Sequence, residues 1–234
     1  MEYIESHRKK IIVSADDFGV SPLANSSIFE LIRLDKIDRV GIMVHGKISL
    51  QEIEILARSG IKLDIHLDIL HEFNENRSHR QSAIFRVLEF LSKFATGKIS
   101  PKAVAADWEK QINLFHKIFG RYPDGLNSHE HVHFFPPFFK IALKLRNKYH
   151  IPYIRFGDSI FIRHSAPVAI ILHTLRKINL KKCLDAGCIS SNSLVSLDWI
   201  ENVAEFLNNL PEGTVEIACH PELIKDFEKI EKYF

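Results

Sequence analysis

The sequence predicts an α/β fold built on a predominantly parallel sheet. Segments with the two-residue period of strands alternate with segments of helical period along the chain. Short connections between them suit right-handed βα units, hence a barrel or an open wound sheet. Charged and metal-grade side chains fall just after the predicted strands, where both architectures gather their active groups.

Ile11-Ile12-Val13 opens the first strand and leads to Asp16-Asp17. Ser21-Pro22 starts a helix to about residue 34, with serine as cap and proline in the first helical position. Residues 39–44 read as strand two, 50–59 as a helix stopped by Gly60, and 61–65 as strand three, ending at His66. The stretch 71–81 is too hydrophilic for core and is expected to border a site. Two amphipathic helices follow over 83–95 and 101–119, the second ended by Gly120. Asp124-Gly125-Leu126 leads a fourth strand into His129-Glu130-His131-Val132-His133. Pro136-Pro137 begins a helix to about residue 149, and 152–156 is strand five. A helix near 168–179, a short strand near 186–189, a helix over 197–209, a strand over 214–218 and a helical tail complete the pattern.

At 234 residues, with no repeat and no Gly/Ser- or Pro-rich linker, residues 1–234 are expected to form one domain. Lysine and arginine (31) nearly balance aspartate and glutamate (29), so no basic field is present and nucleic acid is not an expected partner. The longest apolar run, 166–172, is broken by Pro167 and far too short for a bilayer, so no membrane is expected either. Cys183, Cys188 and Cys219 are an odd set without CxxC spacing, and the polar start does not resemble a secretory signal. A reducing cytoplasm is the expected compartment, and both a monomer and a homodimer are compatible with the chain.

Adjacent aspartates at a strand end can face one cavity as the chain turns, one carboxylate binding a cation and the other accepting a proton from water. The competing explanation for Asp16-Asp17 is a turn or helix cap before Phe18-Gly19. His66 alone would suit a hydrogen-bonded core histidine, but its register with Asp17 favours a ligand. His129, His131 and His133, at i, i+2, i+4, share one face if the segment is extended, and their apolar flanks argue against a surface run. His220 emerges at a strand end before Pro221, where it could protonate a leaving group. Arg155 could orient a carboxylate, with a surface ion pair as the plain alternative. Cys219 reads as a small buried side chain rather than a nucleophile.

With these residues in hand, the chain resembles the YdjC/ChbG-like carbohydrate deacetylases, distant relatives of the NodB-type polysaccharide deacetylases. Ser14-Ala15-Asp16-Asp17-Phe18-Gly19, with Asn25 downstream, resembles that family's opening motif. Ile65-His66-Leu67, Ser128-His129-Glu130-His131-Val132-His133 with Pro136, and Cys219-His220-Pro221 follow in family order. The resemblance implies a deformed (β/α) barrel and one divalent metal held by Asp17, His66 and His129. It implies Asp16 as base, His220 as acid, and His131, His133, Arg155 and Asn25 as substrate-binding candidates. Zinc or magnesium leads as the metal, with manganese, cobalt and nickel compatible. The implied reaction is hydrolysis of an N-acetyl group from an amino sugar or short N-acetylglucosamine oligosaccharide. Four positions depart from the family pattern: Asn127 replaces the usual aspartate, Asp64 a glycine, His45 an asparagine and Glu222 a small residue. Two other readings stay open: metal-dependent hydrolysis of a phosphoester or cyclic amide, for which Arg155, Arg163 and Lys182 could supply a clamp, and a non-catalytic sugar-binding derivative.

Overall fold

A computed structural model of the chain describes residues 10–69, 83–160, 162 and 166–234. The expected border stretch at 71–81 and Arg163 lie outside the described residues. Eight strands form one sheet: β1 (Ile11–Phe18), β2 (Arg39–Ile42), β3 (Lys62–Leu67), β4 (Gly125–Ser128), β5 (Tyr153–Ile154), β6 (Asp158–Ser159), β7 (Ser193–Ser196) and β8 (Val215–Cys219). Their order is β5-β4-β3-β2-β1-β8-β7-β6, and every pairing is parallel. The outermost strands, β5 and β6, are joined in the chain by Arg155, Phe156 and Gly157 alone. That linker keeps the two ends of the sheet within about 14 Å, although no ladder connects them among the described residues. The sheet is therefore the curled, deformed (β/α) barrel that the motifs implied.

Helices α1 (Pro22–Arg33), α2 (Leu50–Arg58), α3 (Ala83–Ala95), α4 (Pro101–Phe119), α5 (Pro136–Lys148), α6 (Ala166–Asp185), α7 (Val203–Asn208) and α8 (Ile224–Tyr233) connect and cover the strands. Their starts follow local chemistry: the Ser21 hydroxyl accepts from the Ala24 amide, Ser49 and Glu52 form a capping box, and Ser100 accepts from Ala103. Gly120 ends α4 at φ 68°, the left-handed conformation that glycine adopts freely. None of the described helices is long and apolar enough to cross a membrane.

Two expectations fail locally. The strand expected at 186–189 is instead the turn out of α6, with Gly187 at φ 57° and a single bridge from Ile189 to Tyr153. The strand itself is β7, seven residues on, where serines at both ends mask a buried Leu194-Val195 pair. The helix expected over 197–209 is broken into a 3₁₀ turn at Leu197–Trp199 and the short α7, which is restarted by the Asn202 cap.

Along each inner strand, alternate residues divide between two environments. Val40, Ile42, Leu63, Ile65, Leu126 and Ile217 enter the hydrophobic core. The intervening positions fill the barrel interior with charge. Arg39 donates to both Asp64 oxygens at 2.8 and 2.5 Å, and its guanidinium lies 4.2 Å from the Tyr153 ring centroid. Tyr153 donates to Glu216 Oε2 at 2.7 Å, and Arg155 Nε donates to Glu216 Oε1 at 2.7 Å. The far end of the Arg155 guanidinium donates to Asp16 Oδ2 at 2.6 Å and Oδ1 at 2.9 Å. Room for this packing depends on Gly125, where a Cβ would sit 2.5 Å from both Arg39 Nη2 and Asp64 Oδ1.

Breaking a buried ion pair from one side strands the remaining charge, which costs about 3–5 kcal/mol. Arg155→Met, which leaves both Asp16 and Glu216 uncompensated, should therefore lower the unfolding free energy by about that amount, as measured by the shift of the urea denaturation midpoint. An unchanged midpoint would show that the network contributes no stability.

Candidate metal centre

The site forms where β1 stops being regular. Its pairing with β2 slips between Ala15 and Phe18, and Asp17 takes a φ of 66°, which aspartate tolerates better than most side chains. The Val20 amide closes a turn onto the Asp17 carbonyl at 3.1 Å. Gly19 follows at φ 104°, and a Cβ there would lie 2.8 Å from the Met43 carbonyl oxygen. This kink brings both aspartates to the same histidine. Asp17 Oδ1 lies 3.1 Å from His66 Nε2, and Asp16 Oδ1 lies 3.8 Å from His66 Nδ1.

His129, delivered by the end of β4, places Nδ1 3.1 Å from the same Asp17 oxygen. One donor atom each from Asp17, His66 and His129 can be chosen so that all lie within 4.8 Å of one another. The fit to a divalent cation has a specific mark: His66 Nε2 is buried without a hydrogen-bond partner among the described residues, although Asp17 Oδ1 is 3.1 Å away. Two atoms converging beside each other rather than aligned on each other suit a shared ion. Two imidazoles and a carboxylate leave coordination positions for water and substrate. His220, at the end of β8, completes the rim with Nε2 3.9 Å from Asp17 Oδ2.

Charges at the site are strongly coupled. Burial opposes ionisation of Asp17, but His129 and His66 outweigh it and hold the carboxyl well below its usual range. Burial likewise opposes ionisation of Asp16, and Arg155 reverses the effect, lowering the carboxyl to about 2. For His129, burial works against protonation and Asp17 for it, with the net result pushed up to about 9. His220 is also raised: its desolvation is overcome by Asp17, Asp16 and Glu222. Glu222 is pushed up to about 6 by burial, against the opposing pull of His220.

The histidine run is not extended. His129–Phe134 forms consecutive 3₁₀ turns with Glu130 at φ 52° and His131 at φ 54°, so the three imidazoles do not share a face. His129 goes to Asp17. His133 is fully buried, its Nδ1 2.6 Å from Ser128 Oγ and its Nε2 2.8 Å from the Arg155 carbonyl oxygen, and burial lowers it to about 3. His133 therefore ties the turns after His129 to Ser128 and to the Arg155 backbone, with both ring nitrogens engaged. His131 is partly exposed, with Nδ1 buried and without a hydrogen-bond partner among the described residues.

Two further substrate-binding candidates have their polar atoms engaged inside the protein. Arg155 is 0% exposed with its guanidinium spread between Asp16 and Glu216, so it holds the base candidate from below. Asn25 is buried on α1, accepting from the Gly19 amide at 2.7 Å and donating to the Lys47 carbonyl and Glu52 Oε1 at 2.9 Å each. It braces the turn that carries Asp17. Asp64, one of the four departures from the family pattern, lies two residues before His66 and is paired inside the barrel with Arg39. Cys219 is buried as expected, its thiol 3.3 Å from the Ser14 carbonyl oxygen.

Sequence reasoning missed Gly41, Tyr153 and Glu216. A Cβ at Gly41 would come within 2.9 Å of Asp16 Oδ1 and 3.2 Å of His66 Nδ1, so a bare backbone is needed for the two to sit together. The available signal was the period of two: Arg39 and Gly41 on β2, Asp64 and His66 on β3, Tyr153 and Arg155 at β5, and a lone glutamate in Val215-Glu216-Ile217.

A histidine raised in the fold contributes stability that is complete below its unfolded pKa and lost as pH rises through its folded pKa. For His129 that window runs from the ordinary 6.5 to about 9. The melting temperature of the metal-free protein should accordingly fall across that interval, and His129→Asn should flatten the fall. A wild-type curve already flat there would contradict the His129–Asp17 coupling.

The sequence model of the family described as YdjC-like protein matches residues 10–232. A carbohydrate deacetylase of Halalkalibacterium halodurans is 25% identical over 93% of this chain and 86% of its own length. A chitooligosaccharide deacetylase of Yersinia enterocolitica is 24% identical over 92% of this chain and 83% of its own. A crystal structure of an Enterococcus faecalis protein, provisionally assigned to cellobiose-phosphate cleavage, superposes with a TM-score of 0.57 at 21% identity, covering 90% of this chain and 80% of that one. That likeness speaks to the fold. The family match begins before the kinked first strand and ends within α8, taking in every strand that supplies the site, and the chain belongs to the YdjC-like family.

Proposed function

We propose that this chain, as a single domain, is a metal-dependent hydrolase that removes an N-acetyl group from an amino sugar or short N-acetylglucosamine oligosaccharide. The observation that carries the reading is the convergence of Asp17, His66 and His129 at the carboxyl ends of β1, β3 and β4. Relatives named as carbohydrate and chitooligosaccharide deacetylases supply the substrate class. A divalent cation held by these three residues would polarise the acetyl carbonyl and acidify water.

The chain's own groups divide the remaining work. Asp16 is the base: Arg155 keeps it ionised and fixed at the rim, in the form that can accept a proton from water. His220 is the acid: the carboxylates around it favour the protonated imidazole, the form that can donate to a departing amine. His131, with an unpartnered buried nitrogen, is the substrate-binding candidate among the four first considered.

Purified protein should release acetate from chitobiose in a chelator-sensitive, metal-restored manner. Asp17→Ala and His66→Ala should abolish metal-dependent turnover. Asp16→Asn should keep metal binding while losing on the order of 10²–10⁴ in rate. Parallel loss of metal and activity in Asp16→Asn would contradict the division of roles, and turnover indifferent to chelator would overturn the metal-dependent reading.

A further inference from the structure

Asn127 is 1% exposed on β4, directly opposite His66 in the β3–β4 register. One heteroatom of its amide lies 2.6 Å from His66 Nδ1 and 3.3 Å from the Ile65 carbonyl oxygen. The other lies 3.2 Å from Arg155 Nη2. An amide has one acceptor end and one donor end, so these neighbours decide its orientation. Arg155 can only donate and the Ile65 carbonyl can only accept. Both are satisfied when the Asn127 oxygen faces Arg155 and its NH₂ faces Ile65 and His66. In the opposite orientation NH₂ meets guanidinium and oxygen meets carbonyl, two mismatches in a site sealed from water.

The satisfied orientation has a consequence for His66. When NH₂ donates to Nδ1, that nitrogen presents its lone pair, and the proton of the neutral ring resides on Nε2. Nε2 is the nitrogen that faces Asp17 at 3.1 Å and is the one available as a ligand. A ligating nitrogen must offer a lone pair, and a ligating histidine ordinarily donates through its other nitrogen to an acceptor.

We infer that Asn127 is a positioning residue that holds His66 in the tautomer unable to ligate through Nε2, so that metal capture requires the amide to turn against Arg155 and Ile65. This rests on the metal-centre reading of Asp17, His66 and His129, and it makes the site a weaker metal binder than its ligand set alone implies. An aspartate at 127 would accept from His66 Nδ1 and from Arg155 at once, removing the conflict at both donors.

Two measurements test this. Long-range ¹H–¹⁵N spectra of the histidines at pH 8, without metal, read the His66 tautomer directly in the wild type. Nε2–H is expected, changing to Nδ1–H in Asn127→Asp. Calorimetric titration with zinc ions should then give a dissociation constant roughly 10–100-fold lower for Asn127→Asp. For Asn127→Ala, which adds no charge, it should be equal to or below that of the wild type. An ordinary supporting role for Asn127 predicts the reverse sign for the alanine variant, because an acceptor for Nδ1–H would be lost. Wild-type His66 found as Nδ1–H, or weaker zinc binding by Asn127→Ala, would overturn the inference while leaving the metal site standing. Zinc binding by none of the three proteins would overturn the metal reading and this inference with it, whereas the spectra would still report the amide's orientation.

Discussion

The fold depends on a buried guanidinium. Arg155 sits between Asp16 and Glu216 with no exposure to solvent, and through Glu216 and Tyr153 its influence reaches Arg39 and Asp64. A barrel interior lined by isolated carboxylates would be too costly to bury. Each acid is therefore answered by a base, and each base occupies a fixed fork of hydrogen bonds. The mouth of the barrel inherits its order from this arrangement: Asp16 is oriented by Arg155, Asp16 and Asp17 both approach His66, and Asp17 is where His129 meets His66.

Much of this was legible in the chain. Strands one to four and the long helices follow from periodicity and from Ser21, Gly60 and Gly120, whereas the caps at Ser49 and Ser100 emerged only in the structure. The convergence of Asp17, His66 and His129 follows from strand ends in a parallel sheet. Arg155 and His133 were visible as special residues, yet their roles were not, because a polar side chain at a strand end can face the mouth or the interior and composition alone does not choose. Burial chose the interior for both. The histidine spacing misled for a related reason: i, i+2, i+4 shares a face in extended backbone, whereas Glu130 and His131 adopt left-handed conformations that wind the segment into tight turns. β6 is too short to carry a period, and β7 was hidden by serines that read as loop.

The site also departs from local comfort in a patterned way. Asp17, Glu130 and His131 all take positive φ without being glycine, and sparsely populated backbone of this kind persists where the surroundings over-determine it. Here the surroundings are identifiable. Asn25 ties the turn after Asp17 to the loop before α2, and His133 ties the turns after His129 to Ser128 and the Arg155 backbone. Asn25 and His133 thus keep the loops that carry Asp17 and His129 in shape.

The gap between β5 and β6 gives the barrel an unusual mechanical character. Where a closed barrel is held by hoops of backbone hydrogen bonds, this one is braced across its bore by spokes: Tyr153 and Arg155, beside the gap, grip Glu216 on β8 and Asp16 on β1. A pull exerted on Asp16 at the rim is thereby transmitted to the open seam, and spreading of the seam would be felt at the rim. The rim and the seam are thus tied to each other through the same few side chains.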